Sequence, residues 1–351
     1  MSNTTRLYAT VEAVKAAVGL TGADKDALIL ASIEAASEDI EQYLGRRFIP
    51  VTQTRQYPYP SRDASPHCLR LDDDLLAITA LTKDTDDVTA IASTDYFLEP
   101  VNSGPPYDRI ELDLSTSEYF SSEGSSQRAI RVTGRWGFSE ATKPAGAIAT
   151  SGGLAADAAA TTGNVTDASL IGVGDTIKIG TEALFVSAKT ALTIGTTLND
   201  TLTADENDVT VTLTSGAAAK TGEVLLFDSE KMLVTAITGN NLTVVRAVDG
   251  SVLAAHSSGI TVYAYRTLTL VRGINGTTAA VHPDATAITK YAPPADIIEL
   301  CIAQAIANIK QAEGGWLQTL GAGEGAVTIR GAGLAELKAR VRAKYKRWSF
   351  A

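Results

Sequence analysis

Apolar residues recur at helical spacing near the start of the chain. Between residues 24 and 44 they follow one another at steps of four, three, four and three residues, which places them on one face of a helix. These residues are Ile29, Ile33, Ala36, Ile40 and Tyr43. Gly45 stands where a C-cap glycine is expected, and Thr10 begins a shorter predicted helix over 10–18.

A second helical region lies near the end of the chain. A broad apolar face follows the pair Pro293 and Pro294, and it predicts a helix that begins near residue 295. A glycine-rich stretch, 314–333, separates this helix from a last one with the sequence LAELKARVRAKYKRW. Because glycine resists a fixed backbone conformation, we expect a pliant connection between the two helices.

Strand signals fill the space between the helical ends. The segments 51–140 and 164–291 contain short runs of β-branched and aromatic residues, which Pro, Gly, Ser and Asp separate. The stretch 141–163 between them is rich in Ala, Gly, Ser and Thr, which is typical of a linker or a domain boundary. The chain is therefore predicted to be an α+β protein, in which the helical ends pack together around an inserted all-β part.

Two segments of the β-rich part occur twice. The sequence VGDTIKIGTEALFVSA (173–188) matches TGEVLLFDSEKMLVTA (221–236). Further along, LTVVRAVDGSVLAAH (242–256) matches LTLVRGINGTTAAVH (268–282). The equivalent pairs include Glu182 with Glu230, Arg246 with Arg272, and His256 with His282.

The order of these segments predicts one unit nested inside another. Both first halves precede both second halves, and a short hairpin turn, 237–241, joins the inner pair. The outer unit then consists of 164–189 and 267–291, and the inner unit, 190–266, sits in its hairpin turn, a place that tolerates insertion. A tandem array with exchanged partners is the alternative. We expect the two equivalent histidines to be packed or turn-capping residues.

Charge and motif content argue against several classes of function. The net charge is −10, whereas generic nucleic-acid binders are usually basic. The sequence contains neither a nucleophile elbow nor a phosphate-binding loop. We therefore predict no enzyme and assign no catalytic or cofactor-binding residue. The N-terminus has no signal-peptide pattern, and no apolar run is long enough to span a membrane.

Metal binding is not predicted either. Two cysteines and three histidines are too few for a typical structural zinc site at the spacings present. The acidic run 84–89 lacks the glycine and terminal glutamate of a calcium loop. We expect the acidic runs 72–74 and 205–208 to be solvated turns, so no metal ligand is assigned.

The C-terminal helix carries the sharpest charge feature. From Arg330 to Arg347 there are seven basic residues against one acid, a net charge of +6. An apolar stripe runs along the same helix, and Trp348 and Phe350 follow it. Basic residues beside apolar ones suit docking against an acidic partner. A solvated surface face and a nucleic-acid contact are the alternatives.

Both ends of the chain resemble one known family. The N-terminal sequence TVEAVKAAVGLTGADKDALILASIEAASEDIEQYLGRRF (10–48) is followed by IRVTGRWGF (130–138), by PPADIIELCIAQAI (293–306) and by LKARVRAKYKRW at the end. Together these stretches resemble gp6-like head–tail adaptors of tailed phages, also called connectors or head-completion proteins. The resemblance implies a helical adaptor core formed by 1–143 and 292–351, with a β segment at 51–140. It leaves 144–291 as an inserted β-rich domain.

The resemblance implies a structural virion protein of the neck that is made in the host cytoplasm. Such proteins form a ring, commonly of twelve copies, beneath the portal, where they extend the DNA channel. The implied partners are other copies of the chain, the portal protein, and a stopper or tail-completion protein, while DNA passes through the lumen without sequence-specific binding. No membrane and no cofactor are implied.

The basic C-terminal segment is the portal-docking candidate under this resemblance. Its candidate residues are Leu334, Leu337, Lys338, Arg340, Val341, Arg342, Lys344, Tyr345, Lys346, Arg347, Trp348 and Phe350. The main alternative function is a β-rich phage decoration or adhesion protein whose nested units bind a host glycan. A DNA-modifying enzyme is a third interpretation, and it would need a metal or nucleotide site.

Overall fold

The structure is a computed structural model that describes residues 6–20, 22–85, 88–313, 319–320, 327–328 and 332–347. Its helices are α1 (Val11–Val18), α2 (Asp26–Leu44), α3 (Ala295–Glu313) and α4 (Ala332–Tyr345). The Thr10 hydroxyl caps α1 by accepting a hydrogen bond from the Ala13 amide at 3.2 Å. Gly45 ends α2 with a φ of 65°, as the sequence predicted. The glycine-rich connection before α4 lies mostly outside the described residues.

The helices from both ends of the chain share one apolar core. The predicted stripe of α2 is buried at Ile29, Ile33, Ala36 and Ile40, and Tyr43 packs at its margin. These residues contact the apolar face of α3, where Ile297, Leu300, Cys301 and Ala305 are buried. Burial of these two stripes joins segments that are about 250 residues apart in the chain, and it holds the helical layer together.

A seven-stranded antiparallel sheet follows α2. Its strands are β1 (Val51–Tyr57), β2 (Ala64–Ser65), β3 (Cys68–Lys83), β4 (Thr89–Ile91), β5 (Tyr96–Glu99), β6 (Tyr107–Leu112) and β7 (Ile130–Trp136). The main order is β1-β7-β3-β6-β5, and β2 and β4 pair with β3. Trp136, Phe120 and Leu69 are fully buried in a core that belongs to this sheet.

A ten-stranded antiparallel sheet forms the inserted part. Its strands are β8 (Thr142–Ala147), β9 (Thr162–Asn164), β10 (Thr176–Ile179), β11 (Glu182–Thr197), β12 (Thr210–Thr212), β13 (Val224–Phe227), β14 (Glu230–Thr238), β15 (Asn241–Val245), β16 (Thr261–Val271) and β17 (Ala287–Tyr291). The main order is β12-β15-β14-β13-β16-β11-β10-β17-β8, and β9 pairs with β16. Two further short strands, β18 (Thr319–Leu320) and β19 (Val327–Thr328), pair with each other.

The linker prediction for 141–163 is wrong. Strand β8 begins at Thr142 and pairs with β17, and Ala145, Ile148 and Leu154 are buried in the core of the outer unit. Small residues resemble linker composition in a sequence, but their backbone amides pair in a sheet as well as those of larger residues. The ten-stranded sheet of the inserted part therefore begins directly after the seven-stranded sheet.

The nested pairing of the two units is confirmed. In the outer unit, β11 pairs with β16 so that Phe185 opposes Val271, and β10 pairs with β17. In the inner unit, β14 pairs with β15 so that Leu233 opposes Val245. The alternative tandem arrangement with exchanged partners is therefore wrong.

The structural repeat extends further upstream than the sequence match. An isolated bridge joins Ile148 to Val165 in the outer unit, and its inner equivalent joins Leu198 to Leu213. A second bridge joins each histidine to its own unit: Leu154 to His282 and Leu202 to His256. Each unit thus consists of an upstream arm, a hairpin and a returning strand. The upstream arm is 148–165 in the outer unit and 198–213 in the inner unit.

Candidate docking surface and buried ion clusters

Helix α4 packs against α2 and α3, and its apolar residues belong to the core of this chain. Val341 is fully buried. The Tyr345 ring packs edge-on against Phe48 and Phe138, with ring centroids 5.6 and 5.4 Å apart. Leu334 and Leu337 are half-buried against the same cluster. The apolar stripe that the sequence assigned to a partner surface is therefore already covered, because it closes the helical core.

The charges of α4 also find partners within the chain. Lys338 lies 3.0 Å from the Asp39 carboxylate of α2. Along the neighbouring helix α3, Arg340 pairs with Glu299 at 2.9 Å and Lys344 with Asp296 at 2.7 Å. The hydrogen bond from Lys344 lowers the pKa of Asp296. The acidic partner that the basic helix predicted is thus provided in large part by α2 and α3.

The residues after α4 close the C-terminal end of α2. The Lys346 ammonium donates to the carbonyl of Tyr43 at 2.8 Å, and the Arg347 amide donates to that of Leu44 at 3.0 Å. Cations and donors at this end satisfy the last helical carbonyls and oppose the negative end of the helix dipole. Lys346 and Arg347 therefore have a structural role. Trp348 and Phe350 lie outside the described residues.

Part of the α3–α4 pair remains open to solvent, and we call it the α3–α4 face. Arg340 and Lys344 keep 61% and 59% of their side chains exposed in spite of their ion pairs. Arg342 is exposed, with its guanidinium 5.5 Å from the centre of the Tyr43 ring. Beside Arg340 and Lys344, on the side of α4 away from Arg342, α3 presents a shallow apolar groove lined by Ala295, Ile298, Glu299, Ile302, Ala303 and Ile306.

The acidic run 72–74 is not a solvated turn. It lies within β3, and Asp73 and Asp74 are buried. Asp73 accepts hydrogen bonds from Arg47 at 2.8 Å and from Arg55 at 2.5 Å. Burial raises the pKa of Asp74, and the nearby charges of Arg46 and Arg347 act in the opposite direction. This cluster joins the segment after α2, β1, β3 and the C-terminal segment, which explains why local sequence did not reveal it.

Each nested unit contains the same buried Glu–Arg–His cluster. In the outer unit, the Glu182 carboxylate accepts hydrogen bonds from Arg272 Nε at 2.7 Å and Nη2 at 2.8 Å, and it lies 2.7 Å from His282 Nε2. The amides of Gly273 and Ala280 donate to it as well. Burial would raise the pKa of Glu182, but these hydrogen bonds outweigh burial and bring it to about 2.

The inner unit repeats the arrangement residue by residue. Glu230 accepts from Arg246 Nε and Nη2, both at 2.8 Å, and lies 2.9 Å from His256 Nε2. Here too burial opposes ionisation, and the hydrogen bonds bring the pKa of Glu230 to about 2. Arg246 also donates to the carbonyl of Thr203 in the upstream arm, as Arg272 does to that of Ala155. The repeated Glu, Arg and His in the sequence are therefore the clusters that tie each arm to its hairpin.

The family comparison concerns the region that contains α1, α2, β1 and most of β3. Residues 8–79 match the model of the phage gp6-like head-tail connector protein family. The resemblance read from the sequence is thereby confirmed for the N-terminal part of the adaptor core. This part includes the buried carboxylates of Asp73 and Asp74. The match lies wholly within the N-terminal helices and the seven-stranded sheet, and it does not reach the inserted β part.

One solved structure with similarity is titled "Neck of empty GTA particle computed with C6 symmetry". Its matching chain is 21% identical, and the alignment covers 40% of this chain and 68% of that chain with a TM-score of 0.28. No protein of curated function matches this chain.

Within the described ranges, no group of three or more His, Cys, Asp or Glu residues is arranged to hold a metal ion. None of the helices in the described part is long and apolar enough to cross a membrane. The candidate surface that remains is the α3–α4 face.

Proposed function

We propose that this protein is a head–tail adaptor that forms a ring beneath the portal of a phage-like particle. In this role it extends the DNA channel and offers a docking surface to a stopper or tail-completion protein. The observation that supports the proposal is the family match over residues 8–79, which falls on helices that pack with α3 and α4 into one core. A ring of twelve copies is the arrangement we expect, and the acidic net charge of −10 suits a channel that lets DNA slide.

The portal-docking element in this proposal is the α3–α4 face. Of the residues predicted for docking, Val341 and Tyr345 hold α4 in place, whereas Arg340, Arg342 and Lys344 are exposed. An exposed basic rim beside the apolar groove of α3 fits an acidic partner surface with apolar residues at its centre. The groove would contribute buried area, and the charges would set approach and orientation.

Exposed aromatic residues would favour the alternative, glycan-binding function. The aromatic residues of the insert considered for that role are Phe185, Phe227, Tyr263, Tyr265 and Tyr291. Both phenylalanines are buried, and Tyr263 is the most exposed of the five, with 37% of its surface accessible. A single tyrosine of this kind is a poor stacking platform for a sugar, so we favour the adaptor function.

Electron microscopy and a binding assay with purified portal rings test the proposal. We expect rings of this protein stacked on the portal in negative stain. Truncation before α4 is unsuitable because it would remove Val341 and Tyr345 from the core. The variant Arg340→Glu reverses an exposed charge beside the groove, leaves the core intact and should weaken portal binding, more strongly at low salt than at high salt.

The matched control is Lys220→Glu, which reverses an exposed charge in the inner unit. It should bind portal rings like the unaltered protein. A protein that neither forms rings nor binds the portal would contradict the adaptor function. If Arg340→Glu binds as well as Lys220→Glu, docking must instead be assigned to another surface.

A further inference from the structure

The two nested units have an equivalent turn, and in each unit this turn contacts a different element. The outer turn contacts strand β1, and the inner turn contacts helix α1. In the outer unit the turn is 274–276, and the carbonyl of Asn275 accepts a hydrogen bond from the Thr52 amide of β1 at 2.8 Å. Gly276 is required there, because a Cβ atom would stand 1.9 Å from the carbonyl oxygen of Thr52. In the inner unit the equivalent turn is 248–250, and its Asp249 forms an ion pair with Lys15 of α1.

The two contacts differ in their chemistry. The outer turn inserts Ile274 into the helical core cluster, and Ala183 and Phe185 of the outer unit join it there. The inner turn has Val248 at the equivalent position, half-buried and outside that cluster. Apolar burial therefore docks the outer unit, whereas the contact of the inner turn with α1 is ionic.

The ionic contact is a small enclosed network. Lys15 is 8% exposed and lies between Asp249 and the Asp26 carboxylate, which is 3.0 Å away. The other oxygen of Asp249 lies 2.5 Å from Lys231 Nζ within the inner unit. Burial would raise the pKa of Asp249, but hydrogen bonds from Lys15 and Lys231 outweigh burial and lower it. The network therefore keeps both partners of the contact charged near neutral pH.

The units are joined within one sheet by β11 and β16, and we call the short part of these strands between the β13 pairing at Ala264 and the β9 pairing at Thr267 the stalk. Beyond the pair Thr190–Thr267, strands β11 and β16 continue to the inner unit with register shifts between Thr190 and Leu192 and between Thr193 and Thr197. Such bulges bend and twist a pair of strands. Besides the Lys15 contact, the Glu223 carboxylate bridges the units at the base of the stalk by accepting from the Ala168 amide at 3.0 Å.

We propose that the Lys15–Asp249 contact is a latch that holds the inner unit against α1. When the latch opens, the inner unit turns about the bulged stalk while the outer unit stays docked through Ile274. Because both partners are charged and the contact is one network, added salt and the loss of either charge favour the open state. The proposal does not depend on the adaptor function.

Double electron–electron resonance, which measures the distance between two spin labels, tests the latch. Ser229→Cys in the inner unit and Ala35→Cys on α2 give exposed labelling sites, in a chain in which Cys68 is replaced by Ser. Cys301 can stay, because it is fully buried and burial raises its pKa to about 11. The latched chain should give one narrow distance peak.

The key variant is Asp249→Asn, which gives the inner turn the residue that the outer turn has at Asn275. It should raise the ratio of open to latched molecules about five- to thirtyfold, and Lys15→Met should do the same. The double variant should show no further increase, because both changes remove one interaction. The control Asp200→Asn removes an exposed carboxylate of the same unit and should leave the ratio unchanged.

Distance distributions that are the same in Asp249→Asn, Lys15→Met and the control would overturn the latch. If either latch variant fails to fold, the unaltered labelled chain decides the question in a salt series. An open fraction that rises with salt supports the latch, and one that does not change with salt contradicts it. Portal binding plays no part in these measurements, so failure of the latch and failure of the adaptor function are distinguishable.

Discussion

The outer and inner units have the same internal chemistry and different surroundings. Each is built around a buried glutamate that binds an arginine, a histidine and two amides. The outer unit shares part of its apolar surface with the helices, whereas the inner unit has a core of its own that includes Phe227 and Met232. The comparison teaches that the ion cluster defines the unit and that a few residues on its surface decide what the unit docks against.

The largest expected effect comes from removing either glutamate. Glu182→Ala or Glu230→Ala leaves a buried arginine without its counter-charge, which costs roughly 3–5 kcal/mol. We expect Glu230→Ala to unfold the inner unit alone, and Glu182→Ala to loosen the outer unit together with the helices that share its core. Hydrogen exchange resolved by peptide measures this difference. Equal loss of protection in both units for either variant would break the comparison.

The equivalent turn residues give a matched pair of smaller changes. Ile274→Ala should lower the free energy of unfolding by about 2–5 kcal/mol, because it opens a cavity in the helical core cluster. Val248→Ala, at the half-buried inner position, should cost less than about 1 kcal/mol. Thermal and denaturant unfolding of the two variants measure the difference. Equal losses would mean that the inner turn is docked by apolar burial as well.

Acid should weaken both units in the same range of pH. The pKa values of Glu182 and Glu230 are lowered to about 2 from an ordinary value of 4.5. Groups with a lowered folded-state pKa contribute stability that is present above the unfolded value and lost as the pH falls through the folded value. Each carboxylate should therefore cost about 1.4 kcal/mol per pH unit between pH 4.5 and 2. Calorimetry of the unaltered chain and of Glu230→Gln would reveal one such contribution fewer in the variant.

Excision of the inner unit should have the smallest effect on the remainder. Thr190 pairs with Thr267 in the outer hairpin just as Thr238 pairs with Asn241 in the inner one. Replacing 191–266 by the inner turn, Gly-Asn, should close the outer hairpin and change the stability of the remaining fold by about 1–2 kcal/mol, the size of the few hydrogen bonds lost. Circular dichroism and a melting curve measure the outcome. An unfolded product would show that the outer unit depends on the inner one.

The domain division at 144–291 remains a prediction. Excision of the inner unit tests only part of it, because the outer unit stays in place. Joining residue 143 directly to 292 would also remove Ala183, Phe185 and Ile274 from the helical core cluster. We expect that product to keep its helices at a lower melting temperature than the chain from which only the inner unit is excised. Complete loss of helical signal would mean that the helical core and the outer unit form one folding unit.

Sequence patterns predicted the features that are local or repeated. The stripe of α2 and its C-cap at Gly45 follow from helical periodicity. The nested pairing follows from the order of the matched segments, because both first halves precede both second halves. The long-range ion pairs could not be read in this way. Lys15 and Asp249 are 234 residues apart, and nothing near Asp73 in the chain indicates that Arg47, Arg55 and Arg347 surround it. The contacts of the basic helix α4 within the chain were missed for the same reason, because its acidic partners lie in distant helices, while docking to a partner stays a prediction.

The position of the inner unit has a consequence for how such a chain can grow. It lies between the paired residues Thr190 and Thr267, where the equivalent hairpin of the inner unit has the two-residue turn Gly239 and Asn240. A third unit placed there would enter and leave at neighbouring points, just as the second does. Further units could therefore be added one at a time, each in the hairpin turn of the unit before it. The helices at the two ends of the chain would keep their residues and their packing.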